Sequence, residues 1–229
     1  MALEWKEITT LEDEMLKEAL SLYHICFPEY VREDEDVFYE SIRHRKKNLP
    51  NHYHFLVGLL NNKVVCMATA HYLADVNSGY IVYIAADPKE RGKGLGKQTL
   101  LKIEELLNDD AIKAGHLSLM GIFLETEREI DAENEEEYRE NVNRLQFFHH
   151  LGFSPVKDYH YVQPPLYNGQ TPVPLYLALK PLNGREEEFD FGQVVKAMYY
   201  EKYYKMNKIS LSVLEDCMRS QEKFLKSIQ

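Results

Sequence analysis

The residues with the clearest chemical potential form one glycine-rich stretch near the middle of the chain. They read Asp87-Pro88-Lys89-Glu90-Arg91-Gly92-Lys93-Gly94-Leu95-Gly96-Lys97. An apolar segment precedes the stretch and an amphipathic pattern follows it to Leu107, which predicts a strand, a turn and a helix. Such a turn points free backbone N–H groups and the positive end of a helix at one place, which suits a phosphate. The glycines let a bulky ligand approach the main chain.

The glycine spacing excludes two common phosphate-binding motifs. It is not Gly-x-Gly-x-x-Gly, and no Gly-Lys-Ser/Thr closes the turn as in a P-loop. The run from Ile84 to Gly96, with Arg91-Gly92-x-Gly94-x-Gly96 after a predicted strand, instead resembles motif A of the GNAT superfamily of N-acetyltransferases. The resemblance implies that this loop holds the pyrophosphate of acetyl-CoA, which serves as co-substrate.

The resemblance also implies which residues contact acetyl-CoA. The backbone N–H groups from Arg91 to Gly96 would hold the pyrophosphate, and the strand before the loop would polarise the thioester carbonyl and pair with the pantetheine arm. An asparagine eleven residues before the glycine of the fourth helix would touch pantetheine; here it is Asn141, with Asn143 as an alternative. The cofactor-binding candidates are Ile84, Ala85, Ala86, Arg91, Gly92, Lys93, Gly94, Leu95, Gly96, Lys97, Asn141 and Phe148.

Acetyl transfer to an amine needs a group that removes a proton. A lysine-like amine has a pKa of about 10.4 and arrives protonated, so a carboxylate, directly or through water, can act as general base. Glu125, at the end of the predicted fifth strand, is our first candidate. Glu127 has the same strand parity, and Tyr83 and His71 are further alternatives.

The leaving thiolate presents a departure from the family pattern. Relatives often carry a tyrosine four residues before the glycine of the fourth helix, where this chain has Phe148. Tyr161 or water would donate the proton instead, or CoA thiolate would leave unaided, since a thiol pKa lies near 8.5. A third interpretation is a protein that binds acyl-CoA without efficient catalysis.

Composition narrows the functional class. The net charge of −10 argues against nucleic acid as a partner and mildly favours a cationic one, such as an amine. The three cysteines are widely spaced, which predicts reduced thiols in the cytoplasm and no zinc site. No stretch has the roughly 18 apolar residues of a membrane span, and the first residues lack a signal-peptide layout. We therefore expect no metal and no membrane partner, and either a monomer or a homodimer.

The predicted elements follow the order of the GNAT fold. A capping-box pattern at Thr9 and Glu12 predicts a first helix that ends near Phe27-Pro28. The further elements are a second helix over 34–47, a hairpin over 52–73, the strand–loop–helix unit, a strand over 116–125, a helix ending at 151–152 and two late strands. The expected class is α/β (α+β), a GNAT fold whose mixed central sheet of about six to seven strands is flanked by helices.

The resemblance covers about residues 5–181. We therefore predict an acetyltransferase domain over 1–185 and a C-terminal helical extension over 186–229. The extension carries Tyr199, Tyr200, Tyr203 and Tyr204, which would cover the domain's own core, line an interface or cover the mouth of the active site.

The leading functional prediction is an acetyl-CoA-dependent N-acetyltransferase that acetylates a primary amine of a small molecule by direct attack in a ternary complex. A protein lysine or N-terminal acetyltransferase is the enzymatic alternative. A non-catalytic acyl-CoA-binding regulatory module is the alternative of another class, and Phe148 is its best support.

Overall fold

A computed structural model describes residues 3–27, 32–167, 169–183 and 185–227 of the chain. They divide into two compact units between Leu119 and Met120. The described residues contain eight strands and six α-helices. Within those ranges, no helix is both long enough and apolar enough to cross a bilayer.

The first unit is an antiparallel sheet with three helices. Its strands are β1 (Glu4–Glu7), β2 (His52–Leu60), β3 (Lys63–Leu73) and β4 (Ser78–Ala86), hydrogen-bonded in that order. Its helices are α1 (Leu16–Cys26), α2 (Glu35–His44) and α3 (Leu95–Lys113). The hairpin and the strand–turn–helix order predicted from the sequence are therefore present.

Strand β2 shows how the two faces of this sheet differ. Side chains alternate along a strand, so Tyr53, Phe55 and Val57 share one face and His52 and His54 the other. The first three join the core that α1 and α2 cover. The two histidines instead reach Asp110 of α3. One strand thus contributes to an apolar core and to a charged cluster.

The second unit is built around a long antiparallel strand. Strand β8 (Val173–Pro181) pairs with β5 (Gly121–Thr126), with the short β6 (Ser154–Pro155) and with β7 (Tyr161–Gln163). Helix α4 (Glu135–His150) lies between β5 and β6 in sequence. Asn134 caps this helix, since its Oδ1 accepts the N–H groups of Glu136 at 3.1 Å and Glu137 at 2.9 Å.

A helical segment follows β8 in the second unit. Helix α5 (Phe191–Met198) continues into a π-helical turn (Tyr199–Tyr204), and α6 (Leu211–Ser227) follows. Val194, Val195 and Met198 of α5 are buried. Residues 186–227 therefore contain helices, and the extension over 186–229 and the domain boundary at 185 stay predictions.

Two predicted boundaries are wrong. The capping-box pattern at Thr9 does not begin α1, which starts at Leu16, because Glu4–Glu7 pairs with β2 and the Asp13 side chain accepts the Met15 N–H at 2.9 Å. Strand β5 begins at Gly121 rather than His116. The intervening residues are held at the end of α3, since the Leu119 N–H donates to Asn108 Oδ1 at 3.0 Å. The predicted end of α1 is confirmed at Phe27, and Pro28 lies outside the described residues.

Candidate functional site

The glycine turn adopts backbone conformations that favour glycine. Gly92 and Gly94 have φ of +82° and +71°, and Gly94 is the N-cap residue of α3. A Cβ at either position would meet no atom within 4 Å, so the space beside the main chain is open. Gly96 lies inside the first turn of α3. These residues fit a ligand that approaches the backbone closely.

The turn also supplies donors and charge. The N–H of Gln98 donates to Gly94 O at 3.1 Å, so the N–H groups before it belong to the first turn, which has no intrahelical acceptors. Arg91, Lys93 and Lys97 are exposed around this turn. Lys93 forms an ion pair with Glu90, which reduces the charge it presents. Residues Arg91 to Lys97 thus combine helix-terminal donors with basic side chains, an arrangement suited to an anion.

Ile84, Ala85 and Ala86 form the end of β4, directly before the turn. They pair with Ala68, Met67 and Cys66 of β3. Ala85 is buried and its two neighbours are partly buried. Their small or aliphatic side chains leave the main chain as the polar feature of this segment.

Glu125 lies at the centre of a hydrogen-bonded cluster in the second unit. The Tyr161 hydroxyl donates to its Oε1, and the Tyr203 hydroxyl lies 2.9 Å from Oε1 and 2.8 Å from Oε2. Gln163 Nε2 donates to Oε2 at 3.0 Å. Two phenols and one amide therefore fix both oxygens of this carboxylate. The sequence predictions Glu125 and Tyr161 lie in direct contact.

Tyr161 is 0% exposed. Its hydroxyl is engaged by Glu125 rather than presented at a surface. This geometry assigns Tyr161 a contact with the candidate base.

Asn141 and Phe148 lie on the buried side of α4. Asn141 Nδ2 reaches Arg128 O at 3.4 Å, and its Oδ1 accepts from Arg144 at 3.3 Å. Arg144 also forms an ion pair with Glu127, the alternative base. Phe148 packs against Phe153 with ring centroids 5.8 Å apart. Asn143, the alternative to Asn141, is exposed.

The two remaining alternatives for the base are buried in the first unit. The Tyr83 hydroxyl donates to Glu33 at 3.1 Å, and burial together with the Glu33 charge raises the pKa of Tyr83 well above its ordinary value. His71 packs between the rings of Tyr53 and Tyr80. A phenol with a raised pKa is a poor base at neutral pH, because the phenolate form is rare.

A second charged cluster joins β1, β2, α3 and the residue that follows α2 in the first unit. His54 Nδ1 lies 3.0 Å from Glu7 Oε1, and its Nε2 lies 2.6 Å from Asp110 Oδ2. His52 Nδ1 lies 2.8 Å from the same Asp110 oxygen, and Arg45 pairs with Glu7. Both nitrogens of His54 face carboxylates, which requires both to donate and therefore a charged imidazolium.

The pKa shifts in this cluster agree with its geometry. Burial would lower the pKa of His54, but hydrogen bonds to Asp110 and Glu7 raise it. Burial likewise opposes ionisation of Asp110 and Glu7, yet the histidine hydrogen bonds lower both carboxyl pKa values. Ligand atoms of His52, His54 and Asp110 lie within 4.8 Å of one another, a donor set that could hold a metal ion. The predicted absence of a metal stays a prediction.

Comparison with known proteins gives a family match that includes the glycine turn. Residues 16–119 match the model of the acetyltransferase (GNAT) family. Over these residues the chain is similar to GNAT acetyltransferases. The match includes the glycine turn and ends where the first unit ends, so Glu125, Asn141, Phe148 and Tyr161 lie beyond it. No curated protein sequence is significantly similar to the chain.

Solved structures share the GNAT fold. A GNAT acetyltransferase from Bacteroides thetaiotaomicron has 22% identity and a TM-score of 0.64, over 87% of this chain and 98% of that chain. The PaiA N-acetyltransferase from Thermoplasma acidophilum, solved with coenzyme A, has 14% identity and a TM-score of 0.51, over 80% and 100%. The ribosomal-protein-S18-alanine N-acetyltransferase from Escherichia coli has 15% identity and a TM-score of 0.52, over 82% and 99%. The predicted fold class is confirmed, with eight strands in the described residues instead of six or seven.

Sequence reasoning missed Gln163 and the role of Tyr203 as contacts of Glu125. The tyrosine-rich run 199–204 was visible, but its spacing did not distinguish the buried Tyr203 from the exposed Tyr204. The cluster around His54 was also missed, because its members are far apart in sequence.

Proposed function

We propose that the protein is an acetyl-CoA-dependent N-acetyltransferase that acetylates a primary amine of a small molecule in a ternary complex. The observation that carries this proposal is the glycine turn. It combines two positive-φ glycines, the donors of a helix N-terminus and basic side chains, within the residues that match the family. A diphosphate ester such as acetyl-CoA needs these three features.

In this proposal the N–H groups of Arg91 to Gly96 hold the pyrophosphate, and Arg91, Lys93 and Lys97 add charge. The β4 main chain from Ile84 to Ala86 polarises the thioester carbonyl and pairs with the pantetheine amides. Leu95 anchors the turn, since its side chain is buried with Val65 and Cys66. Asn141 and Phe148 are proposed to line the pantetheine arm.

Glu125 is the proposed general base. The acceptor ammonium gives a proton to the Glu125 carboxylate, directly or through water. The neutral nitrogen attacks the thioester carbon, the C–S bond breaks, and CoA thiolate leaves with the electron pair. The amide nitrogen releases its second proton to water. Tyr161, which is buried and bonded to Glu125, acts through that carboxylate, and the thiolate takes its proton from water.

Two other functions keep specific support. The Escherichia coli neighbour acetylates an alanine of a ribosomal protein, which supports a protein substrate. Phe148, which has no proton to give, supports a non-catalytic acyl-CoA-binding module. The net charge argues against a nucleic-acid partner, and the cysteine pattern favours a cytoplasmic protein. A monomer or homodimer without a membrane partner stays part of the proposal.

Thiol release from acetyl-CoA over a panel of amines, amino acids and lysine peptides tests the proposal, with calorimetric CoA binding measured in parallel. Turnover on small amines supports it. Turnover on peptides alone favours the protein acetyltransferase. Binding without turnover on any acceptor contradicts an enzymatic function.

A glycine pair tests the cofactor loop. Gly94→Ala should weaken CoA binding at least about tenfold, which is 1.4 kcal/mol, because a Cβ at φ +71° forces the turn to change. Gly115→Ala is the matched control, since Gly115 has φ +96°, equally open space and a position after the far end of α3. If the two variants bind CoA with equal affinity, the assignment of the glycine turn to the CoA site is wrong.

A further inference from the structure

The contacts of Glu125 come from two different parts of the second unit. Tyr161 and Gln163 belong to β7, whereas Tyr203 belongs to the π-helical turn of the C-terminal segment. Tyr203 is 1% exposed, and its hydroxyl spans both carboxylate oxygens at 2.9 and 2.8 Å. Gln163 Nε2, which donates to Glu125, also lies 3.3 Å from this hydroxyl. The three donors therefore form one connected network.

The turn that carries Tyr203 is fixed to β7 by separate contacts. The Tyr199 hydroxyl donates to Val162 O, and Gln221 Nε2 of α6 donates to the Tyr199 hydroxyl at 2.7 Å. The rings of Tyr199 and Tyr203 are 5.7 Å apart. A π-helical turn is a rare departure from α-helix and is frequent at functional sites. Tyr199 therefore attaches the segment to β7, whereas Tyr203 contacts Glu125.

We propose that Tyr203 is a positioning residue for Glu125, and that the C-terminal segment is therefore part of the acetyl-transfer site. This inference rests on the proposed function. A hydroxyl that bonds both oxygens restricts the carboxylate to one rotamer and favours its ionised form. An ionised carboxylate held in one direction is what a general base needs to accept a proton from an ammonium.

The groups around Glu125 determine which ionisation the pH dependence of the rate would detect. Tyr161 and Tyr203 contact the carboxylate, Tyr199 is close enough to interact with its charge, and Lys202 Nζ lies 5.4 Å from the centre of the Tyr203 ring. Phenols ionise near pH 10, so the tyrosines around Glu125 stay neutral between pH 5 and 8. A change of the acidic limb of the rate profile in that range reports Glu125.

The test compares three variants of the full chain on the amine that the wild type acetylates. Tyr203→Phe should lower kcat by about 10- to 100-fold and move the acidic limb of the pH–rate profile up by about one unit. The limb rises because loss of the hydrogen bond makes the carboxylate easier to protonate. CoA affinity should not change.

The two other variants separate positioning from folding. Tyr204→Phe is the matched control in the same turn, since Tyr204 is 37% exposed and stacks on Tyr200. It should behave as wild type. Tyr199→Phe should lower the Tm and leave the pH profile in place, because Tyr199 bonds Val162 and Gln221 rather than Glu125.

The outcomes separate this inference from the proposed function. If the wild type turns over and Tyr203→Phe keeps its kcat and pH profile, the positioning role is wrong and the proposed function stands. A shift shared by Tyr199→Phe and Tyr203→Phe would likewise reduce Tyr203 to an attachment residue. If the wild type acetylates no amine, the proposed function fails and the positioning role fails with it.

Discussion

The two units each hold a carboxylate cluster, and the partners of the carboxylates differ. In the first unit, Glu7 and Asp110 surround the imidazolium of His54, and Arg45 pairs with Glu7. In the second unit, the Glu125 oxygens accept from two phenols and one amide. The first cluster balances charge with charge. The second directs neutral donors at a carboxylate.

This difference decides what each cluster is suited to do. Buried ion pairs stabilise a fold only as a complete set, because removal of one member leaves an uncompensated charge. A proton accepted by Asp110 or Glu7 would break such a set. Neutral donors hold Glu125 in place without cancelling its charge, so it retains the capacity to attract an ammonium and accept its proton. The comparison predicts a structural role for one cluster and a chemical role for the other.

The largest expected effect is on the rate. Glu125→Gln should lower kcat about 10³-fold near neutral pH, because an amide cannot accept the proton, while CoA affinity and Tm change little. Glu127→Gln is the control two residues away, and this substitution removes the carboxylate that pairs with Arg144. The rate of thiol release from acetyl-CoA, measured between pH 6 and 9, tests this prediction. A wild-type profile for Glu125→Gln, or an equal loss in Glu127→Gln, would contradict the assignment of the base.

The next effect is on stability and lies in the first unit. His54→Gln should lower the free energy of unfolding by about 3 kcal/mol, because one neutral amide cannot replace a cation held between two buried carboxylates. Denaturant unfolding measures this loss, and CoA binding below the transition should remain at the wild-type value. A stable variant with impaired CoA binding would reverse the roles that the comparison gives to the clusters.

How much the sequence predicts depends on how far apart the partners lie. The strand–turn–helix unit was predictable because its glycines, arginine and flanking strand are contiguous. The predicted position of Glu125 near the end of a strand agrees with β5, which ends at Thr126, and its role as base stays a prediction. Tyr203 is 78 residues from Glu125, and Asp110 is 56 from His54, so no local pattern links them. The failed capping box at Thr9 shows the same limit, because β1, just before it, pairs with β2 about fifty residues away and α1 starts only at Leu16.

A smaller effect is the pH dependence of the His54 contribution. The raised pKa of His54 means that its stabilisation is complete below about pH 6.5, the ordinary histidine value, and is lost as the pH rises through the folded-state pKa. The lowered pKa values of Glu7 and Asp110 mean that their stabilisation is present above about pH 4 and is lost in stronger acid. The stability difference between wild type and His54→Gln should therefore be largest near pH 5–6 and decrease toward pH 9. A difference that grows with pH would exclude the imidazolium.

The smallest effect concerns a second cation on the same carboxylate. Lys113 Nζ lies 3.2 Å from Asp110 Oδ1, but the lysine side chain is 72% exposed, whereas His54 is 2% exposed. Solvent screens the exposed pair, so Lys113→Ala should change the free energy of unfolding by less than about 0.5 kcal/mol, and less at high salt. Denaturant unfolding of Lys113→Ala and His54→Gln compares an exposed and a buried cation that pair with the same Asp110 carboxylate. The difference between the two losses of free energy of unfolding measures the effect of burial. A loss from Lys113→Ala as large as that from His54→Gln would mean that the charge on Asp110, rather than the enclosed network, determines the stability of the cluster.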